Sequence, residues 1–318
     1  MSERSYPADP AEAGLRLFLA WFGPHYARSV TIQDARSDGA TLTCTAVVGR
    51  KWSLAITVIN TLAPDATLDW EAARAAIERR LDAEGRSIAL WAPRGAPLPA
   101  EEPALSNLII SLSDAATLDD GRLEVRHPVN LYLRRVDTTG SVVTALGGLG
   151  SHWAQFTNRV PGTFQLNSLE LFRLPSSAEE RTDLADRIVL AAGQPDIEDT
   201  HVIPAEDAWS ANQLGSGPSC VLGTPAPDNE VWSASLRRNL RQALKETAAA
   251  PARTADASAL VVLGAATYAG EEKLSLVLRG ADPALWAGHD ILAVIADGFV
   301  KPIIKPGRQA LPWDAPLA

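Results

Sequence analysis

"TLTCTAVVGRKWSLAITVI", residues 41–59, decides the fold class. The runs 41–48 and 52–59 are apolar or alternating, the pattern of half-buried strands, and "GRK" (49–51) breaks them like a turn. Upstream, residues 29–35 have the same character and are set off by "SDG" (37–39). Three such runs in succession read as a strand meander.

Helices flank the meander. Asp9 is placed to cap a helix, Pro10 suits its first turn and Glu12 completes a capping-box spacing. Leu15, Phe18, Leu19 and Phe22 share a face, and Gly23–Pro24 is the expected stop. After the meander, Asp69 is the expected cap of a helix over 69–84 whose stripe is Trp70, Ala73, Ile77 and Leu81, with Gly85 ending it. That helix is expected to pack on the meander through Trp70, Ile77 and Leu81. "SIALWAP" (87–93) reads as a short buried strand. The order is α-β-β-β-α-β.

Beyond it, "APRGAPLPAEEP" (92–103) reads as a linker or long surface loop. A helix is expected at 104–112 and strands at 122–127, 129–136 and 141–146, with "DTTG" (137–140) as the turn between the last two. Ser177 and Glu180 form a capping box for a helix facing inward through Leu184, Ile188 and Ala191. Residues 193–229 are rich in Gly, Pro, Ser and Asp and read as long loops. A helix at 233–249 carries Leu236, Leu240, Ala243 and Leu244, and strands are expected at 259–264, 274–280 and 291–296. Asp297–Gly298 is a hairpin signal leading into "FVKPII". The expected fold is α/β or α+β with mixed sheets: an N-terminal α-β-β-β-α-β unit and a second α/β lobe. The segments are 1–95, 96–192 and 193–318, grouped as two lobes.

With 318 residues, 46% hydrophobic and 21% charged, the chain has the composition of a globular protein rather than a disordered one. "MSERSYPADP" has no apolar leader core, and no apolar run reaches the ~18–20 residues of a membrane helix. A cytoplasmic location without membrane association is therefore expected. Cys44 and Cys220 have neither disulfide-framework nor zinc spacing. The net charge of −9 opposes general affinity for nucleic acid, while leaving room for a local basic patch. Nine tryptophans lie roughly one per structural element, a spacing suited to core packing.

The chemistry-bearing candidates are few. "TALGGLGSHWAQFTN" (144–158) places glycines between an expected strand and a helix that Ser151 could cap. As an anion or ligand site it would use Gly148, Gly150, Ser151 and His152. Trp153 stands where a dinucleotide fingerprint needs its third glycine, so the alternative is a glycine-permitted turn packed under the indole. His25, His127, His201 and His289 lack the spacing of a helical metal pair, and no metal site is expected.

The α-β-β-β-α-β order resembles the core of restriction-endonuclease-like nucleases. That resemblance implies an Asp on the second strand and Glu-x-Lys on the third, binding Mg²⁺ and activating water. Here those strands, "TLTCTAVV" and "WSLAITVI", contain no Asp, Glu or Lys, so the resemblance implies a degenerate core acting on or near nucleic acid. A Mg²⁺-dependent nuclease would instead draw on Asp256, Glu271 and Lys273. Finally, Arg237, Arg241 and Lys245 recur every fourth residue with Arg238 beside them. This stripe could dock a protein partner or nucleic acid, or form the solvated face of an amphipathic helix. The leading expectation is a non-catalytic binding or accessory protein without a cofactor. The alternatives are a ligand- or cofactor-binding enzyme using the Gly147–His152 turn, and the Mg²⁺ nuclease.

Overall fold

A computed structural model describes residues 5–38, 41–62, 68–147, 149–194, 200–225, 241, 244, 245, 247, 255–264, 283–285, 288–304 and 311–314. The fold is α+β with two mixed sheets. The chain divides into two compact units, residues 1–94 with 211–318, and residues 95–210.

The first unit is built on a six-stranded sheet. β1 (Val30–Ser37), β2 (Thr41–Val48) and β3 (Trp52–Asn60) form the antiparallel meander, with Thr41 opposite Ile59 and Val48 opposite Trp52. Leu42, Cys44, Ala46 and Val48 are buried, as the period of two requires. β11 (Ala257–Leu263) then runs parallel to β3, β12 (Ile291–Ala296) parallel to β11, and β13 (Phe299–Ile304) antiparallel to β12. Every residue of β11 and β12 is buried, as expected of central parallel strands. The β12–β13 hairpin turns at Asp297 and Gly298, both with positive φ (49° and 82°). That is the backbone a two-residue hairpin favours, and Asp-Gly adopts it at low cost.

Helix α1 (Pro10–Tyr26) packs on this sheet through Leu15, Phe18 and Phe22. Asp9 caps it, its Oδ1 accepting the Ala11 N–H at 2.8 Å, an interaction typically worth ~1 kcal/mol. The helix does not stop at Gly23–Pro24 as the sequence suggests. Pro24 lies within its last turn, and the helix ends where Ala27 turns left-handed at φ 52°. A proline so near the end removes a single N–H, and the Arg28 N–H closes the turn on the Gly23 carbonyl at 3.0 Å.

Helix α2 (Leu68–Ala83) corrects a second expectation. Trp70, Ile77 and Leu81 are buried, but the helix lies on β10 (Cys220–Leu222) rather than on the meander. Its polar face explains the docking. Glu78, fully buried, accepts the N–H groups of Ala8 (2.7 Å) and Val221 (2.9 Å), and Arg74 donates to the Ala8 carbonyl at 2.9 Å. The short strand β4 (Ile88–Trp91) pairs in parallel with β10. The position beside β3 belongs to β11, 200 residues further along, and not to β4, so the α-β-β-β-α-β order in sequence does not close one sheet. The Arg237–Lys245 stripe is described only at Arg241 and Lys245, both exposed and helical, with Leu244 buried between them. Arg237, Arg238 and the strand expected at 274–280 lie outside the described residues. Among the described residues no helix is long and apolar enough to cross a membrane.

The second unit carries β6 (Leu123–Asp137), β7 (Ser141–Leu146), β8 (Gly162–Asn167) and most of β9 (Thr200–Gln213), in the spatial order β9-β6-β8-β7. Three corrections arise here. The expected strands 122–127 and 129–136 are one strand running through Pro128. β8, which the sequence reading passed over, inserts between β6 and β7, antiparallel to the first and parallel to the second. Residues 200–213, read as loop, form a fourteen-residue strand. The buried face of these strands holds Leu131, Leu133, Val143, Phe164, Leu166, Ile203 and Ala205, with Trp153 and Phe156 packed on it. Helix α5 (Ala178–Ala192), capped by Ser177 as expected, adds Leu184 and Ile188. Helix α3 (Ala104–Ser113) lies on β6, and the two-residue strand β5 (Ala116–Thr117) pairs antiparallel with β6.

Candidate functional site

The 144–158 stretch folds as a glycine turn under an indole. Gly147 has φ +126°, and a short helix, α4 (Gly150–Trp153), follows. Trp153 is buried, and its Nε1–H donates to Ser168 Oγ at 3.0 Å, while that hydroxyl donates to the Leu146 carbonyl at 3.0 Å. His152 is exposed, a Cβ on Gly150 would meet open space, and Gly148 lies outside the described residues. The four-residue helix is too short to gather a helix dipole at its N-terminus.

Asp256 sits at the entry to β11 in a reciprocal pair with Ser53. Its Oδ2 accepts from the Ser53 N–H and Oγ–H at 2.8 Å each, and its own N–H donates to Ser53 Oγ at 2.9 Å. This ties β3 to β11 at the head of the parallel pair. Glu271 and Lys273 lie outside the described residues. Among the described residues no three His, Cys, Asp or Glu gather closely enough to hold a metal ion. Both thiols are buried, and burial pushes Cys44 up to about 11 and Cys220 up to about 12, away from nucleophilic thiolate.

A cleft lined by described residues belongs to neither motif. It has a volume of about 350 Å³ and lies in the second unit. Five pieces of chain build it: the Ala96–Pro99 segment, the start of α3 at Ala104, β6 at His127–Val129, the bend after β8 at Leu169–Phe172, and β9 at Asp207 and Trp209. The bend is held locally. Asn167 Oδ1 accepts the Leu169 N–H at 3.1 Å, and the Leu171 N–H donates to the Ser168 carbonyl at 3.1 Å. Asp207 then clamps it to β9. Its Oδ1 accepts the N–H groups of Phe172 (2.9 Å) and Arg173 (2.7 Å), and its Oδ2 accepts Trp209 Nε1–H at 2.9 Å. Burial raises the Asp207 carboxyl pKa above the usual range, against the pull of those three donors.

His127 lies over Trp209 with ring centroids 5.8 Å apart. Its Nδ1 is enclosed and has no hydrogen-bond partner among the described residues. Burial holds the imidazole below its ordinary value of 6.5, favouring the neutral ring. The sign for stability follows: as pH falls below 6.5 the unfolded chain takes a proton that the folded chain refuses, so stability falls with acid. Asp207, with a raised carboxyl pKa, pulls in the opposite direction at lower pH. Denaturant midpoints of wild type and His127→Phe between about pH 5 and 7.5 are expected to differ in slope, the wild type losing more stability on acidification. Equal slopes would mean that the ring titrates as freely as in the unfolded chain.

Sequence reasoning missed this cleft. The signal that could have found it is the period of two through Ile203, Ala205, Asp207 and Trp209, which puts an acid on the apolar face of a strand. Comparison with protein-family models, with curated proteins and with solved structures finds no match for this chain.

Proposed function

We propose that the protein is a non-catalytic binding protein whose second unit takes a small, largely apolar molecule in the cleft between Pro97–Pro99, His127 and the 169–172 bend. The observation that carries this is the lining: prolines, Leu98, Val129, Leu169, Phe172 and Trp209 surround a volume within the range of small-molecule sites. The polar groups support binding over chemistry. Asp207 already serves three N–H donors and is poorly placed to act as a base. Among the described residues His127 Nδ1 has no carboxylate on it to orient the ring for proton transfer. No Ser, Thr, Cys or Lys stands among the described residues that line the cleft, so an activated nucleophile is missing from that set.

The test uses 2-phenylethanol and indole as probes in ligand-observed saturation-transfer NMR. Transfer is expected with the wild type and is expected to vanish in Ala104→Trp, which places an indole in the cleft from the start of α3. A thermal melt of the variant confirms folding. Absence of transfer to the wild type, or transfer undiminished in a folded Ala104→Trp, overturns the reading.

A further inference from the structure

We propose that the ligand of this cleft is an organic cation, a compact apolar body bearing an ammonium or guanidinium group that is held at Glu170. The inference rests on the reading of the cleft as a ligand site and adds the sign of the ligand's charge.

The charge of the lining points one way. Its ionisable acids are Glu170 and Asp207, and among the described residues no lysine or arginine lines it. Asp207 is occupied by its three N–H donors, which leaves Glu170 to face a ligand. Glu170 is exposed and lines the cleft, and its Oε2 accepts the Asn130 N–H at 3.3 Å. Among the described residues it has no ion-pair partner.

That distinguishes it from Glu124, Glu180, Asp120 and Asp186 of the same unit. Arg126 serves Glu124 and Glu180, Arg122 serves Asp120, and Arg159 serves Asp186. An unpaired carboxylate at the mouth of an apolar cleft repels phosphates and carboxylates and attracts cations. Beside it, Leu169 is 60% exposed, an apolar surface that a ligand's hydrocarbon would cover. Nucleotides and dinucleotides do not suit the site, because their phosphates would meet Glu170 with no lysine or arginine among the described lining residues to receive them.

The test compares three ligands of one shape: 2-phenylethylamine, 2-phenylethanol and 3-phenylpropionate, titrated at low ionic strength by calorimetry or NMR. The amine is expected to bind about two- to fivefold more tightly than the alcohol, the span of an exposed ion pair, and the carboxylate more weakly than the alcohol. Added salt narrows the amine's advantage. Glu170→Gln is expected to bring the amine-to-alcohol ratio to about one, and Glu170→Lys to reverse the order of amine and carboxylate. Equal binding of amine and alcohol by the wild type overturns the inference while leaving the cleft as a neutral-ligand site. An amine preference that survives Glu170→Gln also overturns it, by placing the cation elsewhere. If none of the three binds, the cleft reading fails and this inference fails with it.

Discussion

Replacing Glu78 with leucine is expected to cost about 3–5 kcal/mol, the range for removing one partner of a buried ion pair. Glu78 is fully buried and joins three segments that are distant in sequence: the chain entering α1, helix α2 itself, and β10. It accepts N–H groups from Ala8 at 2.7 Å and Val221 at 2.9 Å, and takes Arg74 Nη2 at 3.3 Å. Leucine would fill the space and satisfy none of these donors. The two orphaned backbone N–H groups alone carry a penalty of roughly 1–3 kcal/mol each.

Arg74 would not be left bare, because Glu71 pairs with it at 2.9 Å and the Ala8 carbonyl accepts from it at 2.9 Å. The loss is therefore dominated by the backbone donors. This yields a discriminating comparison. Glu78→Gln keeps an acceptor in place and is expected to cost less, about 1.5–3 kcal/mol, the worth of charge-assisted hydrogen bonds. Replacing both members, Arg74→Met with Glu78→Leu, is expected to recover little, since the Ala8 and Val221 N–H groups remain unpaired. Urea denaturation of the four proteins decides it. A double variant as stable as wild type would show that the ion pair, and not the backbone donors, sets the cost.

The second large effect is expected at Gly147. Its φ of +126° is a conformation L side chains rarely adopt, and an added Cβ would lie 2.7 Å from Ser168 Oγ and 2.8 Å from the Ser168 carbonyl oxygen. Gly147→Ala must therefore move either its own backbone or Ser168. Ser168 is the relay between buried Trp153 and the Leu146 carbonyl, and its own N–H also bonds that carbonyl at 2.8 Å. Backbone strain and displaced packing together are expected to cost about 2–4 kcal/mol. Gly150 supplies the control. It has ordinary φ and open space around it, so Gly150→Ala is expected to change stability by no more than about 0.5 kcal/mol. Paired thermal melts measure the contrast. Equal effects at the two positions would remove the steric explanation.

Much of the local structure was legible from the residues alone. Asp9 and Ser177 announce their helices because a capping side chain acts within three residues. The Leu42–Cys44–Ala46–Val48 alternation reports a half-buried strand, and Asp297–Gly298 reports a hairpin whose backbone needs positive φ. These signals are short-range, so the sequence by itself determined the capped helices and the meander and narrowed the class to α/β or α+β, and the strand order of the two mixed sheets decided for α+β.

Other features depended on which distant faces bury each other. "GTFQLN" alternates with Gly162, Phe164 and Leu166 inward, yet nothing local says that β8 must slide between β6 and β7. β9 was hidden because its buried face includes Asp207, and an acid on a strand's inner face reads as loop until its three N–H donors are known. Helix α2 docks through Glu78 and Arg74 as well as its apolar stripe, and their backbone partners lie as much as 143 residues away. The cleft has the same origin. Pro97, His127, Leu169 and Asp207 are spread over more than 100 residues and carry no shared motif. Only long-range strand pairing brings them to one volume, because each side chain there is placed by hydrogen bonds and burial contributed from elsewhere in the chain.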